Sequence, residues 1–182
     1  MGGEPFEQEL KFPCADLDGL EGRLAELGAE CHASRTFEDN LVFDRDGELS
    51  GTGRLLRLRL DRHGLRLTFK GPARFDGGLK TRLEREVLVS DAEGMVEILE
   101  ALGYRVVRRY QKRRGEWTLD GVAVAVDETP LGGFVELEGG GAVAAARRCG
   151  FEPEDAERRS YLELWEDHRA EDPGASEDMV FP

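Results

Sequence analysis

The sequence predicts an α+β fold in which antiparallel strands build a barrel or a large curved sheet and a few helices pack on it. Three observations lead there. Short segments alternate apolar and charged residues with the period of a strand, as in Leu56-Arg57-Leu58-Arg59-Leu60-Asp61. Turn signals such as His63-Gly64 and Gly71-Pro72 separate these segments. Helical spacing of apolar residues appears in only a few places.

The first strand carries Glu7, Glu9 and Lys11 on one face and Gln8, Leu10 and Phe12 on the other. A helix follows from Asp16 to Glu30, with Leu17, Leu20, Leu24 and Leu27 at helical spacing and Gly28 near its end. A strand is expected over 36–44. The next pair, 54–61 and 65–70, forms a hairpin with Arg57, Arg59 and Asp61 opposite Leu56, Leu58 and Leu60, and Arg66, Thr68 and Lys70 opposite Leu65, Leu67 and Phe69. After a loop at Asp76-Gly77-Gly78, the strand 79–89 aligns Arg82, Glu84 and Glu86. Ser90-Asp91-Ala92-Glu93 resembles a capping box and opens a helix to about Leu102. Strands follow at 104–119, with a break, and at 122–127. Lys112 shares a face with Arg114, and Asp127 with Ala123 and Ala125. Phe134 to Glu138 is a strand with Glu136 and Glu138 together. Helices end near Cys149 and run from Pro153 or Glu154 to about Asp167. From His168 the composition is tail-like, so residues 168–182 are expected to be disordered.

The 182 residues contain 38 acidic and 25 basic side chains, a net charge of −13. Residues 54–114 nevertheless hold 16 Lys/Arg against 8 Asp/Glu. An acidic chain with a basic middle argues against nucleic acid and anionic membranes, and suits a local anionic ligand. No run approaches the length of a membrane span. The first residues lack the pattern of a signal peptide, and Cys14, Cys31 and Cys149 are odd in number and widely spaced, which together indicate a cytoplasmic protein with reduced thiols. His32, His63 and His168 fall in surface contexts and are not expected to bind metal. Trp117 and Trp165 read as packing residues, and Ser160-Tyr161 as an anchor of the last helix.

The polar faces of the strands are unusual in being sorted by charge: Glu/Glu/Lys, Arg/Arg, Arg/Glu/Glu, Lys/Arg and Glu/Glu. Two arrangements are open. The apolar faces meet inside, or they pack outward on the helices and the charged faces line a wet tunnel. In the second case, clustered carboxylates suit Mg2+ or Mn2+, and clustered Arg and Lys suit phosphate. Together these are the parts of polyphosphate chemistry.

An ordered set of motifs resembles the CYTH superfamily, the triphosphate tunnel metalloenzymes, and within it the class IV adenylyl cyclase type. The motifs are Glu7-x-Glu9-x-Lys11, Asn40-Leu-Val-Phe-Asp44, Leu56-Arg-Leu-Arg59, Leu67-Thr-Phe-Lys-Gly-Pro72, Arg82-x-Glu84-x-Glu86, Lys112-x-Arg114, Val126-Asp-Glu-Thr-Pro130, Gly133-Phe-Val-Glu-Leu-Glu-Gly139 and Ser160-Tyr-Leu-Glu-Leu164. The resemblance implies a domain over residues 1–167: an eight-stranded antiparallel β-tunnel with a charged interior and helices packed outside. It implies that Glu7, Glu9, Asp127, Glu136 and Glu138 bind Mg2+ or Mn2+. It implies that Lys11, Arg57, Arg59, Lys70, Arg82, Lys112 and Arg114 hold a triphosphate, with Lys11, Glu84 and Glu86 as catalytic candidates. The implied reaction is cyclisation of ATP to cyclic AMP and pyrophosphate. The alternatives are hydrolysis of inorganic triphosphate, a nucleoside triphosphate or thiamine triphosphate, and a non-catalytic polyphosphate sensor. Some triphosphatase members use a tyrosine from the second strand, and residues 37–44 contain none. The family is often dimeric, and a homodimer is an expectation on that ground alone.

Overall fold

The computed structural model describes residues 6–76 and 78–182. The signal-peptide reading of the first five residues, and Gly77 of the expected loop, lie outside them. The elements are β1 (Phe6–Pro13), α1 (Leu17–Glu26), β2 (Glu30–Asp44), β3 (Leu55–Asp61), β4 (Gly64–Lys70), β5 (Arg74–Asp76), β6 (Leu79–Val89), α2 (Ala92–Ala101), β7 (Arg105–Leu119), β8 (Val122–Thr129), β9 (Gly132–Glu138), α3 (Ala142–Cys149) and α4 (Tyr161–Glu171).

Eight strands are hydrogen-bonded in the order β1-β9-β8-β7-β2-β3-β4-β6, and β6 pairs back onto β1 to close an antiparallel barrel. Closure depends on strands that change partner along their length. In β1, Phe6 to Glu9 pair with β6 and Glu9 to Pro13 pair with β9. In β6, Glu84 to Val89 pair with β4 and the preceding residues turn to β1. The long β2–β7 pair carries register shifts at Cys31/Ala33, Ala33/Thr36 and Val42/Phe43. Such bulges bend a strand and increase its twist, which a closed sheet requires.

The apolar faces point outward, so the inverted arrangement holds. On one side, Leu10, Phe12, Val124, Val126, Val135 and Leu137 are buried under Leu20 and Leu24 of α1 and Ala145 and Ala146 of α3. On the other, Phe43 and Leu58 pack with Leu99, Met95 and Val96 of α2. A third cluster lies at one end of the barrel. Val42, Tyr110 and Phe134 share the alternation of the charged residues, and they meet Tyr161 and Trp165 of α4. The inner face thus turns apolar where α4 plugs one mouth.

Several element boundaries differ from those expected. Gly28 adopts φ +80°, a conformation other residues resist, and α1 stops at Glu26. Strand β2 then begins at Glu30, because β7 pairs with it along almost its whole length. For the same reason β7 has no break. The short β5, which hydrogen-bonds β6, had no alternating pattern to reveal it. The second helix is capped by Asp91, which accepts a hydrogen bond from the Gly94 N–H. The last helix starts later, at Tyr161, with Ser160 and Glu163 forming a reciprocal capping box.

The expected disordered tail is the main correction. α4 continues to Glu171, and the segment after it folds back along β7. The Met179 N–H donates to the Arg109 carbonyl and the Gln111 N–H donates to the Met179 carbonyl. Met179 is fully buried beside Tyr110 and Trp165, and the Trp165 Nε1–H donates to the Ser176 carbonyl. A mostly polar composition concealed this anchor, the buried member of the short apolar run Met179-Val180-Phe181. Met179→Ala is expected to lower unfolding free energy by about 2–3 kcal/mol, measured by urea denaturation. A loss below about 0.5 kcal/mol, the scale of an ordinary surface substitution, would show that the segment is not seated there.

Candidate active site

The barrel encloses a cavity of about 460 Å³. Period-two alternation delivers its walls: each strand that sends a leucine or valine outward sends its next side chain inward. Glu7, Glu9, Lys11, Arg57, Arg59, Lys70, Arg82, Glu84, Glu86, Lys112, Arg114, Glu136 and Glu138 all line it. Asp127 is the exception among the expected residues. It has no exposed surface and lies in the wall behind Lys112 and Arg114.

Toward the α4 end the cavity is predominantly cationic. Asp127 accepts from Lys112 Nζ at 2.9 Å, from Arg114 Nε at 2.8 Å and from the Tyr161 hydroxyl at 2.8 Å. Arg114 also pairs with Glu136. Burial works to raise the Glu136 carboxyl, but Lys112, Arg114, Lys11 and Lys80 together hold it well below the usual range. Burial pushes the Tyr161 hydroxyl well up, and the Asp127 charge adds to the shift, so it stays protonated and donates. Lys11 sits 4.5 Å from the Tyr161 ring centre and donates to the Arg159 carbonyl. Burial lowers its pKa, and Glu136 only partly restores it.

Sequence reasoning missed two groups here. Glu38 is almost fully buried, 3.2 Å from Arg59. Although burial opposes it, Lys112, Arg59, Arg114 and Arg57 hold its carboxyl far below the ordinary value. The Tyr110 hydroxyl accepts from Arg57 at 2.7 Å. Burial raises its pKa, but Arg57, Arg59 and Lys112 outweigh this and lower it. The alternation contained the signal in both cases: Glu38 shares a face with Asn40, and Tyr110 with Lys112 and Arg114. Tyr110 lies directly opposite Asn40, so the tunnel has a tyrosine on β7 although residues 37–44 have none.

Toward the open end, carboxylates gather. Glu9 and Glu138 are direct cross-strand partners. Lys70 bridges Glu7 at 2.8 Å and Glu84 at 2.7 Å, and Lys80 pairs with Glu9 at 2.6 Å. Glu86 accepts from the Thr68 hydroxyl at 2.8 Å and lies 3.4 Å from Arg66. His63 pairs with Glu116, and His32 with Thr118, bordering the mouth as side chains occupied by other partners. Trp117 borders the cavity and packs on the cluster under α1.

An all-oxygen donor set of Glu7, Glu9, Glu136 and Glu138 fits a hard divalent cation in type. The raised pKa of Glu138 fits as well, since carboxylates crowded in this way call for positive charge. Lys70 and Lys80 supply some of it. Among the described residues no three such groups converge closely enough to hold an ion, so binding would require these side chains to rotate toward one another. Asp127 fits less well, because Lys112, Arg114 and Tyr161 would have to release it.

Comparisons with known proteins agree with this geometry. The model of the CYTH domain matches residues 5–161. MJ0240 of Methanocaldococcus jannaschii, named as a candidate adenylate cyclase, is 31% identical over 135 residues, 73% of this chain and 76% of that protein. The adenylate cyclase CyaB of Aeromonas hydrophila is 31% identical over 136 residues, 72% of this chain and 68% of the relative. The structure of HpAC1 from Hippeastrum, a candidate adenylyl cyclase described as having a dominant triphosphatase activity, superposes with a TM-score of 0.67 at 17% identity, covering 90% of this chain and 95% of that one.

Partial desolvation pushes the Glu138 carboxyl up to about 7, and the charges of Glu7, Glu84 and Glu9 add to this against the pull of Lys70. Such a group binds its proton more tightly folded than unfolded. Its stabilising contribution is therefore complete below the ordinary carboxyl value of 4.5 and is lost as pH rises through about 7. Glu138→Gln is expected to match the parent protein below the lower value and to exceed it above the higher one, by about 1 kcal/mol or less because water screens the exposed carboxyl. Melting curves across that range check this, and a variant less stable at alkaline pH would contradict it.

Proposed function

The chain belongs to the CYTH domain family, and from that premise we propose that it is a divalent-metal-dependent enzyme acting on a triphosphate, in first place an adenylyl cyclase that converts ATP to cyclic AMP and pyrophosphate. One observation carries the triphosphate reading. Arg57 is only 5% exposed, its Nε is buried without a hydrogen-bond partner, and among the described residues its guanidinium donates to the Tyr110 hydroxyl and forms no ion pair with a carboxylate. A buried guanidinium without an acid within pairing distance costs several kcal/mol unless an anion completes it. Lys11, Lys112 and Arg114 surround the same space, and planar guanidinium groups bind phosphate oxygens in pairs.

In this reading Arg57, Arg59, Lys112 and Arg114 hold the triphosphate, and Glu38 and Asp127 keep those cations charged and oriented. Lys11 holds a proton at Nζ beside the phosphates, poised by its lowered pKa to share it with an oxygen that gains charge. Glu84 and Glu86 act through the groups they hold, Lys70 for the first and Thr68 and Arg66 for the second. Glu7, Glu9, Glu136 and Glu138 are the residues that would hold Mg2+ or Mn2+. The metal, when bound, supplies activation of the attacking oxygen and neutralisation of the leaving phosphates. In cyclisation the ribose 3′-hydroxyl attacks the α-phosphorus, loses its proton, and the bond to the β-phosphate oxygen breaks.

Relatives at 31% identity named as adenylate cyclases support this choice. The alternative is a triphosphatase, in which water attacks a terminal phosphorus; the activity described for HpAC1 favours it as the second reading. The deciding experiment incubates purified protein with ATP, or with inorganic triphosphate, plus Mg2+ or Mn2+, and separates the products. Cyclic AMP with pyrophosphate supports the cyclase, and orthophosphate without cyclic AMP supports the hydrolase. Binding of either ligand without product in both metals would favour the sensor.

Two substitutions test the roles. Glu9→Gln is expected to abolish turnover at limiting metal while preserving the fold. Near-parental rates would remove Glu9 from the metal site. Arg57→Ala is expected to weaken triphosphate binding about 10- to 100-fold, the scale of one hydrogen-bonded charge. An unchanged affinity would remove Arg57 from the phosphate site.

A further inference from the structure

We propose that the C-terminal segment around Met179 is a positioning element of the triphosphate site: it holds Tyr110, and Tyr110 in turn orients Arg57 and, through Asn40, Arg59. The inference rests on the triphosphate reading above and adds residues that act through the phosphate-binding cations. It concerns a part of the chain beyond the residues 5–161 matched by the CYTH model. β8 joins β7 only from Arg113 onward, so among the described residues no strand covers that edge of β7 over 105–112. The C-terminal segment supplies the missing partner. The Met179 N–H donates to the Arg109 carbonyl at 3.0 Å, its carbonyl accepts from the Gln111 N–H at 2.8 Å, and the Asp178 carboxylate accepts from the Arg109 N–H at 2.7 Å. Beyond them, the Phe181 ring centre lies 4.4 Å from the Arg113 guanidinium.

Tyr110, between the two anchored residues, lines the tunnel. Its ring shares a buried cluster with Met179 and Trp165, and its hydroxyl accepts from Arg57 at 2.7 Å. Its carbonyl accepts from the Asn40 side-chain amide at 3.2 Å. The same amide donates to Glu38 at 3.1 Å, and its oxygen accepts from Arg59 Nε at 3.2 Å. Arg59, Asn40 and Tyr110 are direct partners across β3, β2 and β7, so a displacement of Tyr110 reaches both arginines. The direction of the effect follows from the acids nearby. Glu38 and Glu84 lie close enough for their charges to act on Arg57. A seated Tyr110 hydroxyl holds the guanidinium away from them, with its remaining N–H groups free for phosphate oxygens. A loosened Tyr110 lets the guanidinium turn to a carboxylate, which then competes with the anion.

The test measures, by calorimetry with Mg2+, the dissociation constant of the bis-methylene analogue of inorganic triphosphate, whose P–C bonds neither proposed reaction breaks. Full-length protein is compared with four full-length variants. Met179→Ala is expected to weaken binding about five- to tenfold, and Tyr110→Phe about tenfold. Met179→Leu, which keeps the volume, is expected to stay within about twofold of the parent. Leu24→Ala also opens a buried core, but in a separate cluster under α1, and is expected to leave affinity within about twofold. Parental affinity in folded Met179→Ala or in Tyr110→Phe would overturn the inference and leave the triphosphate site standing. Equal losses in Met179→Ala and Leu24→Ala would overturn it too, since the effect would then be one of general stability. Failure of the parent protein to bind the analogue would overturn the triphosphate reading and the inference with it. If Met179→Ala does not fold, hydrogen exchange of the parent protein decides. Coupling is reciprocal, so the analogue is expected to slow exchange of the Met179 and Gln111 amides, and unchanged rates at both would overturn the inference.

Discussion

Asp127 has no contact with water and accepts hydrogen bonds from Lys112 and Arg114 of β7 and from Tyr161 of α4. That convergence joins two neighbouring strands to the helix that plugs the barrel. It also solves the problem that an inverted barrel creates. A sheet that turns its leucines outward must keep its charged residues in a confined space, where an unpaired ion is costly. Neutralising the cations with one deep carboxylate keeps them in place without filling the tunnel. Asp127 is thus a structural counter-ion whose substitution would leave two buried cations competing for Glu38 and Glu136.

The remaining charges divide the tunnel lengthwise. Toward α4, cations predominate and their acids sit in the wall, so guanidinium and ammonium groups face the open space. Toward the open mouth, acids predominate and two lysines hold them apart. A linear polyanion with a cation bound at one end would match this gradient. The same division explains why neighbouring carboxylates behave differently. Glu136, among lysines and arginines, is held well below the ordinary range, whereas Glu138, two residues on and among other glutamates, is pushed up to about 7.

Much of this was legible in the chain, because a strand's period is short and local. Glu7, Glu9 and Lys11 share a face wherever the strand goes, and so do Arg57 and Arg59. Every site residue found by alternation lines the cavity, apart from Asp127, which lies one layer behind it. Tyr110 and Glu38 belong to the same faces as recognised residues, but a tyrosine within the basic run 108–114 and a glutamate beside Asp39 did not stand out. The strap ending in Met179 was hidden for another reason. Its sequence is mostly polar or small up to a short apolar run at Met179-Val180-Phe181, of which only Met179 is buried, in a place that only β7 offers.

By itself, then, the sequence determined which residues lie on a common strand face, the sorting of those faces by charge, and the helices that would cover the apolar ones. Alternation left open which face is inside, since it is symmetric with respect to the two sides of a sheet, and only the resemblance implied a charged interior. The tertiary structure decided that through the closure of β6 onto β1, which forces one face to enclose a small volume and the other to meet the helices. It also decided the pairing of the charges and the plug formed by α4. These depend on residues brought together from far apart in the chain, and no local pattern encodes such distances.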